Sequence, residues 1–199
     1  MISYMIDMPK IQAPFIRDEK THLVTDQINP GLEWVFTDPN VIAVEKLDGT
    51  NVSVYIEKGE LTGVRNRTNV IECGALSNNR FMHGLRATYE KGWMPVATGQ
   101  HFGELMGPKI QTNALDLKEP LWYPFDYLKR AAIYTSFQKY EKNYTNFSKW
   151  FQNDLCSLLC KQRGVDKQPE GVVFHHPDGR MAKLRGDMFD WHKGSKHKE

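Results

Sequence analysis

The sequence is poor in cysteine, with three in 199 residues. Three thiols cannot all pair with one another, so a reduced, cytoplasmic setting is the simplest expectation. Charge of one sign is also missing. The 26 Lys and Arg stand against 24 Asp and Glu, a net of +2. Nucleic-acid binding therefore cannot be argued from net charge, and any basic surface has to be local. No apolar run approaches the roughly 20 residues that span a bilayer, which argues against a membrane. The opening MISYMIDMPK has neither the basic region nor the apolar stretch of a secretory signal. Repeats and low-complexity tracts are absent as well. What is present suits a folded protein. The hydrophobic fraction is 40%, enough for a core, and the length suggests a single domain over 1–199. The stretch Lys193–Lys198, with three Lys and one His, reads as a flexible basic tail.

Residues 1–40 carry Pro and Asp turn signals and predict irregular structure with one short strand. From Val41 the pattern changes. Val41–Val44 is a β-type run, and Val52, Val54 and Ile56 alternate with Ser53, Tyr55 and Glu57 as on a half-buried strand. A turn at Glu57–Glu60 leads to a third strand. Phe81, Leu85 and Tyr89 share one stripe of a helix expected over Arg80–Trp93. Gly99–Met106 and Leu121–Leu128 read as strands. Phe147, Trp150, Phe151, Leu155, Leu158 and Leu159 recur at helical spacing, with Thr145 or Asn146 as cap and Gly164 as stop. His176-Pro177-Asp178-Gly179 predicts a hairpin between Gly171–His175 and Met181–Arg185. The expected class is α+β.

Four segments carry chemistry. In Glu45-Lys46-Leu47-Asp48-Gly49-Thr50-Asn51 a lysine ends one strand just before a Gly turn. An amine there can act as a nucleophile once neutral. A free lysine titrates near about 10.4, so a metal ion or other cations would have to favour the neutral form. A surface lysine in a hairpin is the alternative. In Phe102-Gly103-Glu104 the carboxylate sits among apolar residues, where it needs a partner: a cation, a ribose hydroxyl or a metal ion. Glu170 stands at the mouth of an apolar strand. Lys183 and Arg185, two apart on a strand, share a face. Two such cations opposite a lysine and two acids suit a polyphosphate with Mg²⁺.

The ordered set K-x-D-G-x-N, F-G-E-x-x-G, E-G-V-V and K-x-R resembles the covalent nucleotidyltransferases. It is most similar to the ATP-dependent RNA ligases related to the second RNA ligase of T-even phages and to the RNA-editing ligases. Glu45-Lys46 with Gly49-Thr50-Asn51, Phe102–Glu104 running into Gly107–Asn113, and Phe125-Asp126 carry the likeness over roughly 40–190. The resemblance implies an ATP-grasp-like nucleotidyltransferase domain of antiparallel sheets flanked by helices. Only 186–199 follow Arg185, which leaves no room there for an OB-fold domain. It implies ATP and Mg²⁺ or Mn²⁺ as cofactors, with RNA, as a nicked duplex or as RNA ends, for partner; DNA stays open.

The roles it implies are these. Lys46 takes up AMP, and Glu45 contacts adenine. Asp48 and Asn51 line the nucleotide site. Arg67 contacts the nucleotide or the 5′-phosphate, with Arg65 on the same face if the strand continues. Glu104 holds the ribose and Phe125 stacks on adenine. Glu170 organises the metal, with Glu104 as the second carboxylate. Lys183 and Arg185 clamp phosphates. Asp48 stands where the nearest phage relative has His, and Arg185 where the pattern has Lys. A DNA ligase, a GTP-using capping-type transferase and a non-catalytic binding module are the alternatives. Other conspicuous residues read as structure. His175 and His176 point to opposite faces, Cys156 and Cys160 read as small buried hydrophobes, and Trp122, Tyr123 and Trp150 read as core.

Overall fold

A computed structural model describes residues 5–73 and 79–192; the basic tail lies outside the described residues. In chain order the elements are β1 (Phe15–Arg17), β2 (Val24–Ile28), α1 (Trp34–Thr37), β3 (Ile42–Lys46), β4 (Thr50–Glu57), β5 (Glu60–Asn66), β6 (Val70–Ile71), α2 (Arg80–Glu90), β7 (Gly99–Met106), β8 (Leu121–Pro124), α3 (Phe125–Ala131), α4 (Tyr144–Lys149), α5 (Leu158–Gln162), β9 (Gly171–His175) and β10 (Met181–Arg185). The class is α+β, with antiparallel sheets and a few short helices. Contacts divide the chain into two units: Met1–Pro9 with Leu47–Ala131, and Lys10–Lys46 with Ala132–Glu199.

The five-stranded unit is a sheet ordered β6-β5-β4-β7-β8. Its strands form because β-branched residues alternate with polar ones. Val52, Val54 and Ile56 of β4 point inward with Val64, Leu105 and Trp122, and Met82 and Leu85 of α2 pack on them. Each such burial is worth about 1.5–3 kcal/mol. Asn79 caps α2 by accepting a bond from the Met82 N–H. The buried stripe of α2 is Met82, Gly84, Leu85 and Thr88, rotated from the expected one, and Tyr89 is 74% exposed. Thr88 explains the rotation. Its hydroxyl oxygen accepts from the Trp122 N–H (3.0 Å) and donates to the Trp122 carbonyl (2.6 Å), tying the helix to β8. The strand expected over Leu121–Leu128 stops at Pro124. The chain turns helical at Phe125, with Asp126 in the first turn and Lys129 and Arg130 in the last, matching the helix dipole.

The three-stranded unit holds the sheet β10-β9-β3 and a separate β1-β2 pair. Residues before Val41, expected to be mostly irregular, contain both β1 and β2, antiparallel with Phe15 opposite Ile28. Strands of three and five residues are too short to show a period. The core is aromatic: Phe15, Phe137, Phe147, Trp150, Phe151, Phe174 and Phe189 are all buried. Phe147 and Phe174 stack at 5.7 Å. The single helix expected around Phe147–Leu159 is broken. Asn143, not Thr145 or Asn146, caps α4. A π-turn follows over Trp150–Asp154. Ser157 then caps α5 by accepting from the Cys160 N–H, so Cys156 lies outside both helices. A serine that bonds nearby backbone competes with continued helix. Among the described residues no helix is long and apolar enough to cross a membrane.

Candidate active site

On the three-stranded sheet, register decides which side chains meet. Lys46, Gly171 and Arg185 stand opposite one another across β3, β9 and β10, and Val44, Val173 and Lys183 form the next row but one. Alternation therefore puts Lys46, Lys183 and Arg185 on one face, while Ala43, Glu45, Val172, Phe174, Ala182 and Leu184 face the core. Only glycine fits between the outer strands, because a Cβ at position 171 would lie 2.1 Å from the Leu184 carbonyl oxygen. Glu170, the residue before it, reaches the Lys46 Nζ with Oε2 at 2.6 Å and lies with Oε1 3.7 Å from the Arg185 Nη1. The Lys46 and Glu170 side chains are about one-fifth exposed. Arg185 Nε and Asp187 Oδ1 form an ion pair at 3.0 Å without hydrogen-bond alignment. Lys46, Glu170, Lys183 and Arg185, far apart in sequence, thus belong to one sheet, with Asp187 joined to them. Asp187 was not anticipated, since a lone acid after the last motif carries no periodic signal.

Glu45 departs from expectation. The resemblance implied a side chain turned to adenine. As the neighbour of Lys46 on a strand it points the other way, into the core, at 2% exposure. The Ser157 hydroxyl donates to its Oε1, and the Leu159 N–H to its Oε2 at 3.0 Å. Burial pushes the Glu45 carboxyl above its ordinary range, and these bonds oppose that. The side chain anchors the start of α5, and no carboxylate oxygen is turned to the Lys46 face.

In the five-stranded unit, Asn51, Glu104 and Tyr123 are opposite one another across β4, β7 and β8, on the face turned from the core. Arg65, Ser53 and Phe102 form the next such row. Arg67 lies beyond the end of β5, in a tight turn closed by the Asn66 side chain, with its side chain 60% exposed and 3.9 Å from Asp7. Arg65 is the arginine on the face. Its Nη2 donates to the Arg67 carbonyl at 3.2 Å, and its buried Nε has no hydrogen-bond partner among the described residues. The Asn51 amide lies 3.4 Å from the Gly103 carbonyl and 3.3 Å from the Met8 sulfur. Asp48 accepts a 2.7 Å bond from the Thr112 hydroxyl. The Gly49 turn beside it presses on β7 so closely that a Cβ would lie 2.4 Å from the Leu105 carbonyl oxygen. Phe125, half-buried, opens α3.

The RNA ligase family model matches residues 39–192, more than three-quarters of the chain. The chain belongs to the RNA ligase family. Solved structures of an RNA ligase from Naegleria gruberi share the fold. A mutant with ATP and Mn matches at TM-score 0.55 and 20% identity, over 90% of this chain and 56% of that one. A mutant with AMP and Mn matches at 0.52 and 22%, over 90% and 62%. The form with PPi matches at 0.51 and 21%, over 90% and 62%. The chain thus spans about three-fifths of the length of these ligases. No curated protein matches it.

Proposed function

We propose that this RNA ligase family member is an ATP-dependent polynucleotide ligase acting on RNA through a covalent lysyl-AMP, its two units serving as one nucleotidyltransferase domain. The observation that carries the reading is the cluster of Lys46, Glu170, Lys183 and Arg185 on one sheet face. The binding of ATP, AMP and PPi by Naegleria ligases of the same fold supports it.

In this reading Lys46 Nζ attacks the α-phosphorus of ATP. A P–N bond forms, the bond to the bridging oxygen breaks, and pyrophosphate leaves. Glu170 Oε2, in contact with Nζ, is placed to receive the proton that the amine sheds. Lys183 and Arg185 offset the charge on the departing pyrophosphate. Arg185 keeps its charge throughout and donates to two oxygens at once, so replacing the pattern's Lys preserves the clamp. In the five-stranded unit Asn51 and Glu104 take the ribose and Phe125 the base. Arg65 takes the role first given to Arg67, on the strength of its position and its free Nε. AMP then passes to a 5′-phosphate end, freeing Lys46. A 3′-hydroxyl finally attacks that phosphate and expels AMP.

Among the described residues no three His, Cys, Asp or Glu side chains form a ready metal cage. The carboxylates that the family resemblance offers to Mg²⁺ or Mn²⁺ are Glu170 and Glu104, and such an ion commonly takes only one or two from a protein. Bound so, the ion would neutralise phosphate charge. All three cysteines are free thiols, in keeping with a reducing cytoplasm.

The test is incubation with α-labelled ATP or GTP and Mg²⁺, followed by denaturing electrophoresis. ATP should label the wild type through an acid-labile bond, and Lys46→Ala should take no label. Labelling of Lys46→Ala at the wild-type level would overturn the assignment, and preferential labelling by GTP would favour a capping-type enzyme. On nicked duplexes, sealing should need ribose at the 3′-OH end; equal sealing of all-DNA nicks would favour a DNA ligase.

A further inference from the structure

The segment between β7 and β8 is built unlike the rest of the described residues. Of the six non-glycine residues with positive φ among the described residues, four lie here: Lys109 (60°), Gln111 (45°), Asn113 (47°) and Asp116 (47°). A left-handed backbone is unfavourable for Lys109 and Gln111, and tolerated by Asn113 and Asp116. It persists where surrounding contacts over-determine it, which happens most often at functional sites. Those contacts are present. Ile110, Leu115 and Leu117 are buried. The Asn113 side chain bonds both backbone groups of Leu117, at 3.0 and 3.1 Å. The Asn113 N–H reaches the Ile110 carbonyl, and the Asp116 N–H the Asn113 carbonyl.

Of the loop's surface members, Asp116 and Lys118 pair within it, whereas Thr112 reaches outside it. Thr112 lies between two left-handed residues and is exposed. Its one side-chain bond runs 64 positions back along the sequence, to Asp48 Oδ2 at 2.7 Å. Asp48 and Gly49 form the turn that the chain enters directly after Lys46, and Gly49 is already seated against β7.

We propose that Thr112 is a positioning residue for adenylation. The strained loop exists to hold its hydroxyl against Asp48 and so to fix the turn carried on from Lys46. The inference rests on the ligase reading for its effect on rate, but the Thr112–Asp48 coupling itself does not. Asp48 is the acceptor that this turn offers to Thr112, and a turn freed of that bond would lengthen the search for a productive geometry without removing a contact to ATP. Loss of Thr112 should therefore lower the rate at saturating ATP and leave the KM for ATP nearly unchanged.

The experiment compares wild type, Thr112→Val, Thr112→Ser, Asp48→Ala and the Val/Ala double variant. Initial rates of labelling by α-labelled ATP are measured against ATP concentration, and amide hydrogen exchange is measured over 47–50. Thr112→Val, close in shape to threonine, should label about tenfold more slowly, as expected for one hydrogen bond to a charged group. Thr112→Ser should label like wild type. The double variant should lose no more than Asp48→Ala alone. Exchange over 47–50 should quicken in Thr112→Val and not in Thr112→Ser. Wild-type kinetics in Thr112→Val would overturn the proposal, as would losses that multiply in the double variant. Failure of the wild type to take label would instead overturn the ligase reading. In that case unchanged exchange in Thr112→Val would still refute the coupling, and faster exchange would sustain it.

Discussion

The two units solve the same problem, a half-buried antiparallel sheet, with opposite materials. The five-stranded sheet has enough width to bury Val52, Val54, Ile56, Val64 and Leu105 against one helix, with Trp122 a fully buried ring and Phe81 packed at the margin. The three-stranded sheet is too narrow for that, and the rings of Phe137, Phe147, Trp150 and Phe174 supply the apolar area instead. Their polar faces differ in the same way. The five-stranded face is rich in amides and hydroxyls. Gln100 exchanges two bonds with the Ile6 backbone and a third with Ser53, so the Met5–Met8 segment is held over it. The three-stranded face is ionic, with Lys46 and Arg185 about Glu170. The five-stranded face carries single charges, Arg65 and Glu104, among its neutral groups, whereas the three-stranded face clusters its charges as phosphate handling requires. Under the ligase reading that is a division between recognising a nucleoside and transferring its phosphate.

The contrast can be tested most severely in the aromatic core. Phe147→Ala should cost about 3–5 kcal/mol in chemical denaturation, against about 0.5–1.5 for Ile56→Val in the aliphatic core. Hydrogen exchange should quicken over β3 and β9 more than over β4 and β7. Equal acceleration in both sheets would mean that the cores are not separate. A smaller effect tests the buried face of β3. Ser157→Ala removes the α5 cap and leaves a buried Glu45 oxygen short of a donor, so stability should fall by about 2 kcal/mol. A loss below measurement would show that Glu45 is not anchored as described.

The smallest effect is one of pH. His176 lies between Asp178 Oδ1 (2.7 Å) and Asp38 Oδ2 (2.8 Å). Hydrogen bonds to Asp178 first and Asp38 second raise its pKa above the ordinary 6.5. A raised folded pKa gives stability that is full below about 6.5 and lost as pH climbs through the folded value. Asp178, pulled down to about 2 chiefly by the Arg180 N–H, and Asp38, lowered chiefly by the Asn40 N–H, contribute in the opposite sense. Their share is present above 3.8 and lost as pH falls. The melting-temperature gap between wild type and His176→Gln should therefore be widest in the mildly acidic range and close as the solution turns alkaline. A gap that stays constant with pH would exclude the ion pairs as its source.

Much of the candidate site was legible in the sequence because strands obey a two-residue period. The hairpin Gly171–Arg185 and the common face of Lys183 and Arg185 follow from alternation and one turn signal, and β7 ends where its glycines and apolar residues place it. Lys46 could be read as a candidate because a lysine before a Gly turn is a local pattern. Segments whose form depends on distant partners were misread. Pro124 turns a strand into a helix, and Thr88 rotates α2 by bonding Trp122. Ser157 breaks a helix because Glu45, 112 residues earlier, needs its hydroxyl. The sequence alone determined which residues alternate, which cap and which carry charge, since these depend on neighbours a few bonds away. Tertiary structure decided that Glu45 turns inward, that Arg65 and not Arg67 lies on the sheet face, and that Glu170 meets Lys46. Which face of β3 is the core, where β5 ends and which segments pair are set by contacts between stretches far apart in the chain, and no local preference encodes them.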